Sequence, residues 1–326
     1  MPLPENFLAL VEITTWHWMG FVLAVLVFLA LDLGVFHKRA HVVGFREALT
    51  WTAVWFALAL VFAAGLSQWR TRDEALEFIT GYIIELSLSM DNVFVIALIF
   101  TYFRVPSQYQ HRVLFWGILG ALLMRGVMIG AGAALIARFH WLLYGFGAFL
   151  LFTGIKMLFT EDEGVHPEKN PVLKLTRRFF PVTRDFAGQQ FMVVENGRRA
   201  LTPLALVLLM VETTDLVFAV DSIPAIFAVT QKPFIVFTSN VFAILGLRSL
   251  YFVLAGAIGF FRFLKVGLSL VLAFIGVKML LVPWVKIETV LSLIIVVSII
   301  LTSILISVLA ARREARLLRN RDAEKP

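Results

Sequence analysis

Long runs of apolar residues, broken by short charged or proline-containing stretches, dominate the chain. Read between those breaks, the runs predict nine helices near 15–36, 49–69, 77–101, 112–137, 140–159, 203–229, 235–260, 263–283 and 287–310. Each is close to the roughly 20 apolar residues that a bilayer crossing needs. The first run has no basic segment before it and no small-residue cleavage site after it, so it reads as a span and not a removed leader. The fold class expected is therefore an all-α polytopic membrane protein.

Composition agrees. Of 326 residues, 60% are hydrophobic and 16% charged, with a mean hydropathy of +0.87. Soluble domains run at about 45–50% apolar and about 25% charged, so a large water-soluble catalytic domain is excluded. There is no cysteine, which removes disulfides, thiolate metal sites and thiol redox chemistry from this chain. The net charge of +7 is a topology signal here, not a mark of nucleic-acid binding. When loops are assigned alternately to the two membrane faces, 20 lysines and arginines fall on one side and five on the other. The positive-inside rule then places the C-terminus in the cytoplasm and the N-terminus outside, and nine crossings require that opposition.

The expected organisation is two leading spans (1–70), a first repeat (71–160), a cytoplasmic loop (161–202), a second repeat (203–283), and a last span with a basic tail (284–326). The loop opens on EDEGVHPEKNP, where His166 stands near Glu161, Asp162 and Glu163, and continues into a basic stretch with amphipathic helical character. It reads as solvated surface, with room for a soluble partner there or at the tail.

Four basic residues remain inside apolar runs: Arg125, Lys156, Arg248 and Lys278. FTGIKMLF around Lys156 matches FIGVKMLL around Lys278, GILGALLMRG before Arg125 resembles AILGLRSLYF around Arg248, and MDNVFVIALIF resembles TDLVFAVDSIPAIF. The offsets are 124, 123 and 122, so spans three to five repeat as spans six to eight. Three is odd, so the second copy enters from the opposite face, the inverted-topology arrangement of many secondary transporters. The lysines sit near helix ends, from which they can snorkel to headgroups. The arginines lie deeper and are expected to pair with carboxylates or carbonyls.

Span three carries Glu85, Asp91 and Asn92, and span six carries Glu212, Asp215 and Asp221. A single charge at mid-membrane costs at least about 2.5–3.5 kcal/mol on insertion scales, so five carboxylates demand positive partners. Glu85, Ser89 and Asn92 share one helix face, Asp91 is about a third of a turn away, and Asp215 and Ser222 share a face of span six. Pro224 cannot donate to the Val220 carbonyl, so a kink near Asp221 and a freed carbonyl ligand are expected. In span seven, Thr238, Ser239 and Asn240 add neutral oxygens. Such an oxygen-only set suits manganese, calcium or magnesium over zinc or copper. The competing reading is buried ion pairing with Arg125 and Arg248, which accounts for at most two of the five. Asp32, in span one, is expected near the cytoplasmic interface.

IELSLSMDNVFV, ETTDLVFAVDSIPAIFAVT and FTSNVFAILGLRSLYF resemble the signatures of the TerC/Alx family of bacterial inner-membrane proteins, over about residues 12–310. The resemblance implies an inner-membrane protein of tellurium resistance or of manganese export and alkaline response. It places the family's intramembrane acidic positions on Glu85, Asp91, Glu212, Asp215 and Asp221, with Asn92 adjacent. Some relatives carry a redox-modulator label, for which this chain has neither cysteine nor cofactor motif.

The function expected is divalent-cation transport, most specifically manganese export by alternating access with proton coupling. The metal is then cargo, with no prosthetic group, and Glu212 is a ligand or proton carrier. The alternative is a non-transporting scaffold in tellurite or stress resistance. An intramembrane hydrolase is weaker, because no metal-binding histidine motif or serine with a base accompanies the carboxylates.

Overall fold

The computed structural model describes residues 13–31, 44–160, 170–195, 197–255, 263–285 and 287–323; Asp32 and the group Glu161, Asp162, Glu163 and His166 lie outside them. The long helices are α1 (Thr15–Leu31), α2 (Phe45–Trp69), α3 (Arg72–Tyr102), α4 (Ser107–Arg138) and α5 (Leu142–Phe159), followed beyond the loop by α7 (Pro203–Phe227), α8 (Pro233–Ala255), α9 (Leu264–Leu281) and α10 (Thr289–Ala323). The loop holds a short helix, α6 (Pro171–Phe179), and a two-stranded antiparallel hairpin, β1 (Met192–Glu195) and β2 (Arg198–Leu201). The protein is thus an all-α polytopic membrane protein. Eight helices among the described residues are long and apolar enough to cross a membrane, and the described part of α1 is shorter.

Helix starts follow their local chemistry. The Thr71 hydroxyl accepts from the Glu74 amide at the start of α3. Asn170 caps α6 in the same way, with Pro171 in the first turn, and Pro203 opens α7. At the other end, α10 runs past the expected span limit to Ala323, because ARREARLLRNRDA contains helix formers and neither proline nor glycine. The hairpin, not anticipated by the run pattern, has Gly197 at φ 74° just before β2. Asn-Gly directly after the FMVVE run was the available signal.

The packing pairs α5 with α9, α3 with α8 and α4 with α7. Around this centre, α2 lies on α8 and α3, and α10 on α9 and α3. Small residues let α5 and α9 approach closely. A Cβ on Gly154 would stand 2.7 Å from both the Ala273 nitrogen and the Ser269 oxygen, and one on Gly276 would stand 2.5 Å from the Leu151 nitrogen and 2.7 Å from the Gly147 oxygen. Adding 122 to 147, 151 and 154 gives 269, 273 and 276, so the contacts are reciprocal. Low numbers on α5 meet high numbers on α9, so the two helices run antiparallel.

At one membrane boundary an ionic cluster ties the start of α3 to the α7–α8 turn. Arg70 pairs with Glu74 at 2.8 Å, Lys232 lies 3.1 Å from Glu77, and the Thr230 hydroxyl donates to Glu77 at 2.8 Å. Lys278 is buried at 9% exposure, within the field of Glu77, so it does not snorkel as expected; Lys156 is exposed. Trp16, Trp141 and Trp284 are exposed as belt residues are, whereas Trp55 is buried among α1, α4 and α8.

Candidate cation site

α3 and α7 bring the candidate polar residues together, with α4 supplying the cation between them. Glu85, Ser89 and Asn92 are buried on α3, at 0%, 1% and 4% exposure, and Asp215 and Ser222 are buried on α7. Arg125 of α4, 1% exposed, lies among them. Its Nη2 donates to Asp215 Oδ1 at 2.8 Å and its Nε to Oδ2 at 3.2 Å. Its Nη1 donates to Glu85 Oε1 and, at 3.4 Å, to the Ser222 hydroxyl. Asn92 Nδ2 completes Asp215 with a bond of 3.2 Å to Oδ1. One guanidinium therefore holds two carboxylates of different helices, a use of the planar fork that a lysine cannot reproduce.

Beside this knot lies a cavity of about 70 Å³, lined by Glu85, Ser89, Asp91, Asn92, Arg125, Asp221 and Ser222 together with Leu88, Met157, Phe218 and Leu272. Three buried oxygens on its α3 wall have no hydrogen-bond partner: Glu85 Oε2, Ser89 Oγ and Asn92 Oδ1. Asp91 reaches the same space although α3 is unbroken, because the cavity extends between α3, α5, α7 and α9. Asp221 enters from α7, where it takes a hydrogen bond from Thr153 and feels the charge of Lys156. A smaller cavity on the other side of Asn92 and Asp215 is lined by Arg248, Thr214 and apolar side chains of α4.

Several expected participants stand elsewhere. The Glu212 carboxylate lines neither cavity and packs against α4 at Gly120, where a Cβ would occupy its place; its Oε2 has no partner. α7 runs as one helix through Pro224 to Phe227, so any bend near Asp221 comes without a break in the helix. Val220 is 46% exposed and lines neither cavity, because its helix angle turns it away from Asp215 and Ser222. Asn240 is 1% exposed, with neither amide atom hydrogen-bonded, and also lines neither cavity. Thr238 and Ser239 bond to carbonyls of their own helix. Among the described residues no three acidic or histidine side chains stand together as a metal cluster. The reason is Arg125: it claims Asp215 fully and one oxygen of Glu85, so the acidic groups are distributed around a cation instead of converging on one point. Span periodicity could not reveal this pairing, since its partners are 40 and 90 residues away.

Known proteins place the chain. Residues 70–315 match the Integral membrane protein TerC family. The chain is 55% identical to an uncharacterized membrane protein, STKORF319, of Myxococcus xanthus over 296 residues, covering 90% of this chain and 92% of that one. It is 47% identical over 300 residues to a protein of Escherichia coli K12 provisionally named membrane-bound redox modulator Alx, covering 89% of this chain and 93% of the relative. An uncharacterized membrane protein of Rickettsia bellii is 39% identical over 292 residues, covering 90% and 97%. No solved structure matches. The family match takes in both halves of the α3–α5 and α7–α9 core and every residue of the cavity, and the chain belongs to the TerC family of integral membrane proteins.

Proposed function

We propose that this protein carries a hard divalent cation across the inner membrane, most specifically manganese outward in exchange for protons, with the cavity beside Arg125 as its binding station. The observation that supports this reading best is the set of three unpartnered buried oxygens, from a carboxylate, a hydroxyl and an amide, facing one cavity that two further carboxylates also line. Buried polar atoms left unpaired cost about 1–3 kcal/mol each, so a ligand that satisfies all three at once gains their combined cost. Oxygen ligands in this mixture suit hard cations. With Arg125 paired to Asp215, the three carboxylates that line the cavity leave it, when ionised, with an excess of negative charge that a divalent cation would offset in large part.

The ligands are then drawn from Glu85 Oε2, Ser89, Asn92, Asp91 and Asp221, which line one cavity and would have to close on the ion from their present spread, with Asp215 and Ser222 holding Arg125. Glu212 keeps the role of proton carrier, apart from the metal. The antiparallel, reciprocal α5–α9 contact and the α3–α8 and α4–α7 pairings are what a two-fold exchange of the repeats would produce, which supports alternating access. The 20-to-five distribution of basic residues supports a cytoplasmic C-terminus. The relative's redox-modulator name finds no thiol here to act on.

The test is manganese flux in vesicles containing the purified protein, with and without an imposed pH gradient in each direction. Wild type should give saturable flux, and Asp91→Asn and Asp221→Asn should each lower it at least about tenfold, since even outer-shell changes at metal sites cost about 10–100-fold. Both variants should elute as the wild type does in detergent. Absence of saturable wild-type flux under every gradient would leave the scaffold reading in its place, under which both variants retain resistance.

A further inference from the structure

We propose that α6 is an interfacial helix whose exposed stripe inserts among the anionic phospholipid headgroups of the membrane that the protein spans. The proposal rests on three features of α6 and does not depend on what the protein transports.

The first is its apolar face. Leu173 alone is turned inward, buried at 2% in the cluster that contains Leu206 and Met210 of α7. Val172, Leu175 and Phe179, spaced i, i+3 and i+7, form a stripe about 60° wide that points outward, with exposures of 37%, 57% and 69%. Phe180, just past the helix, is 48% exposed. Four large apolar side chains in this pattern, on and just beyond a nine-residue helix, need an apolar surface to cover them.

The second is charge. Lys174 and Arg178 form a row one turn apart beside the stripe, with Arg177 further round; all three are exposed and none has an ion-pair partner among the described residues. Residues 170–202 hold six basic residues against two acidic ones. A short helix with an apolar stripe and unpaired basic residues fits an anionic headgroup layer.

The third is depth. Asn170 Nδ2 lies 3.2 Å from Met210 Sδ, which ties the start of α6 to a residue seven positions into α7. Seven residues are roughly 10 Å of helix. The 25 residues of α7 measure about 37 Å against a hydrocarbon thickness of about 30 Å, so only a few ångströms of α7 project at each end. α6 therefore starts about 7 Å to the acyl side of the headgroup boundary, within the roughly 5–10 Å that the apolar face of an interfacial helix reaches, and its outward face meets lipid.

Because the chain has no cysteine, single cysteines can be introduced for nitroxide labels without other changes. Leu175→Cys, Phe179→Cys and, as the opposite face, Arg177→Cys are made in the full chain and reconstituted in vesicles of phosphatidylcholine with or without phosphatidylglycerol. In the anionic vesicles, labels at 175 and 179 should be accessible to oxygen and shielded from a water-soluble nickel complex, with the label at 177 nickel-accessible. Lys174→Gln and Arg178→Gln, or omission of phosphatidylglycerol, should raise nickel access at 175, by about fivefold in the lifted-to-inserted ratio per basic residue. Nickel access at 175 and 179 equal to that at 177 in anionic vesicles overturns the proposal, and shielding gained only on adding soluble protein would assign the stripe to a protein partner instead. Equal shielding with and without phosphatidylglycerol also overturns it, as it removes the anionic headgroup. Two independent apolar positions keep the result readable if one label disturbs folding.

Discussion

Arg125→Met should destabilise the protein by about 3–5 kcal/mol, the usual loss when one partner of a buried ion pair is removed. The side chain's size is nearly conserved, so lost packing accounts for little. Lost hydrogen bonds also account for little, since interhelical bonds within membranes average only about 0.6 kcal/mol. Most of the loss comes from stranding Glu85 and Asp215, at 0% and 8% exposure, with no cation between α3, α4 and α7. Thermal unfolding in detergent, followed by size-exclusion recovery, checks this. Arg125→Lys should fall between, as it keeps the charge and loses the two-pronged grip on Asp215. Adding Glu85→Gln and Asp215→Asn to Arg125→Met should restore most of the stability, because the stranded charges go with the arginine. If the triple variant is no more stable than Arg125→Met alone, packing and not charge is what Arg125 supplies.

The second large effect belongs to the α5–α9 crossing. Gly154→Ala and Gly276→Ala each place a methyl group 2.5–2.7 Å from backbone atoms of the facing helix, and backbone cannot swing aside as a flexible side chain can. The helices must separate, at a cost of about 1–3 kcal/mol each, the range for overpacked sites. The reciprocity of the contacts makes the two losses similar. The double variant should cost less than their sum, since the separation forced by one alanine makes room for the other. Gly130→Ala and Gly145→Ala, which meet nothing within 4 Å, should be neutral or slightly stabilising in the same thermal assay. Met157 of α5 and Leu272 of α9 line the cavity, so the separating variants should also disturb the site, whereas the controls should not. Strict additivity of the double variant would show that the two glycines do not share one crossing.

Arg125 and the α5–α9 crossing mark the boundary between what is legible along the chain and what is not. The apolar runs locate the spans to within a few residues, as at α5, expected over 140–159 and found at Leu142–Phe159. The internal offsets of 124, 123 and 122 mark which segments correspond. The 3.6-residue period puts Glu85, Ser89 and Asn92 on one face, and these three line the cavity together. Periodicity carries no information from one helix to another. Five carboxylates grouped by depth suggest a single metal site, whereas Arg125 takes two of them and Glu212 lies against Gly120. Pro224, which cannot donate to the Val220 carbonyl, is nonetheless carried within a continuous α7.

By itself the sequence determined that this is a multi-pass helical membrane protein, because an unpaired backbone in lipid leaves the helix as the only spanning form open to such apolar runs. It also determined which helix face each polar residue occupies, since that depends only on local periodicity. Which of those residues meet was decided by the tertiary structure alone. A buried charge is stabilised by whatever opposite charge lies within a few ångströms, and helix packing can bring that partner from any distance along the chain.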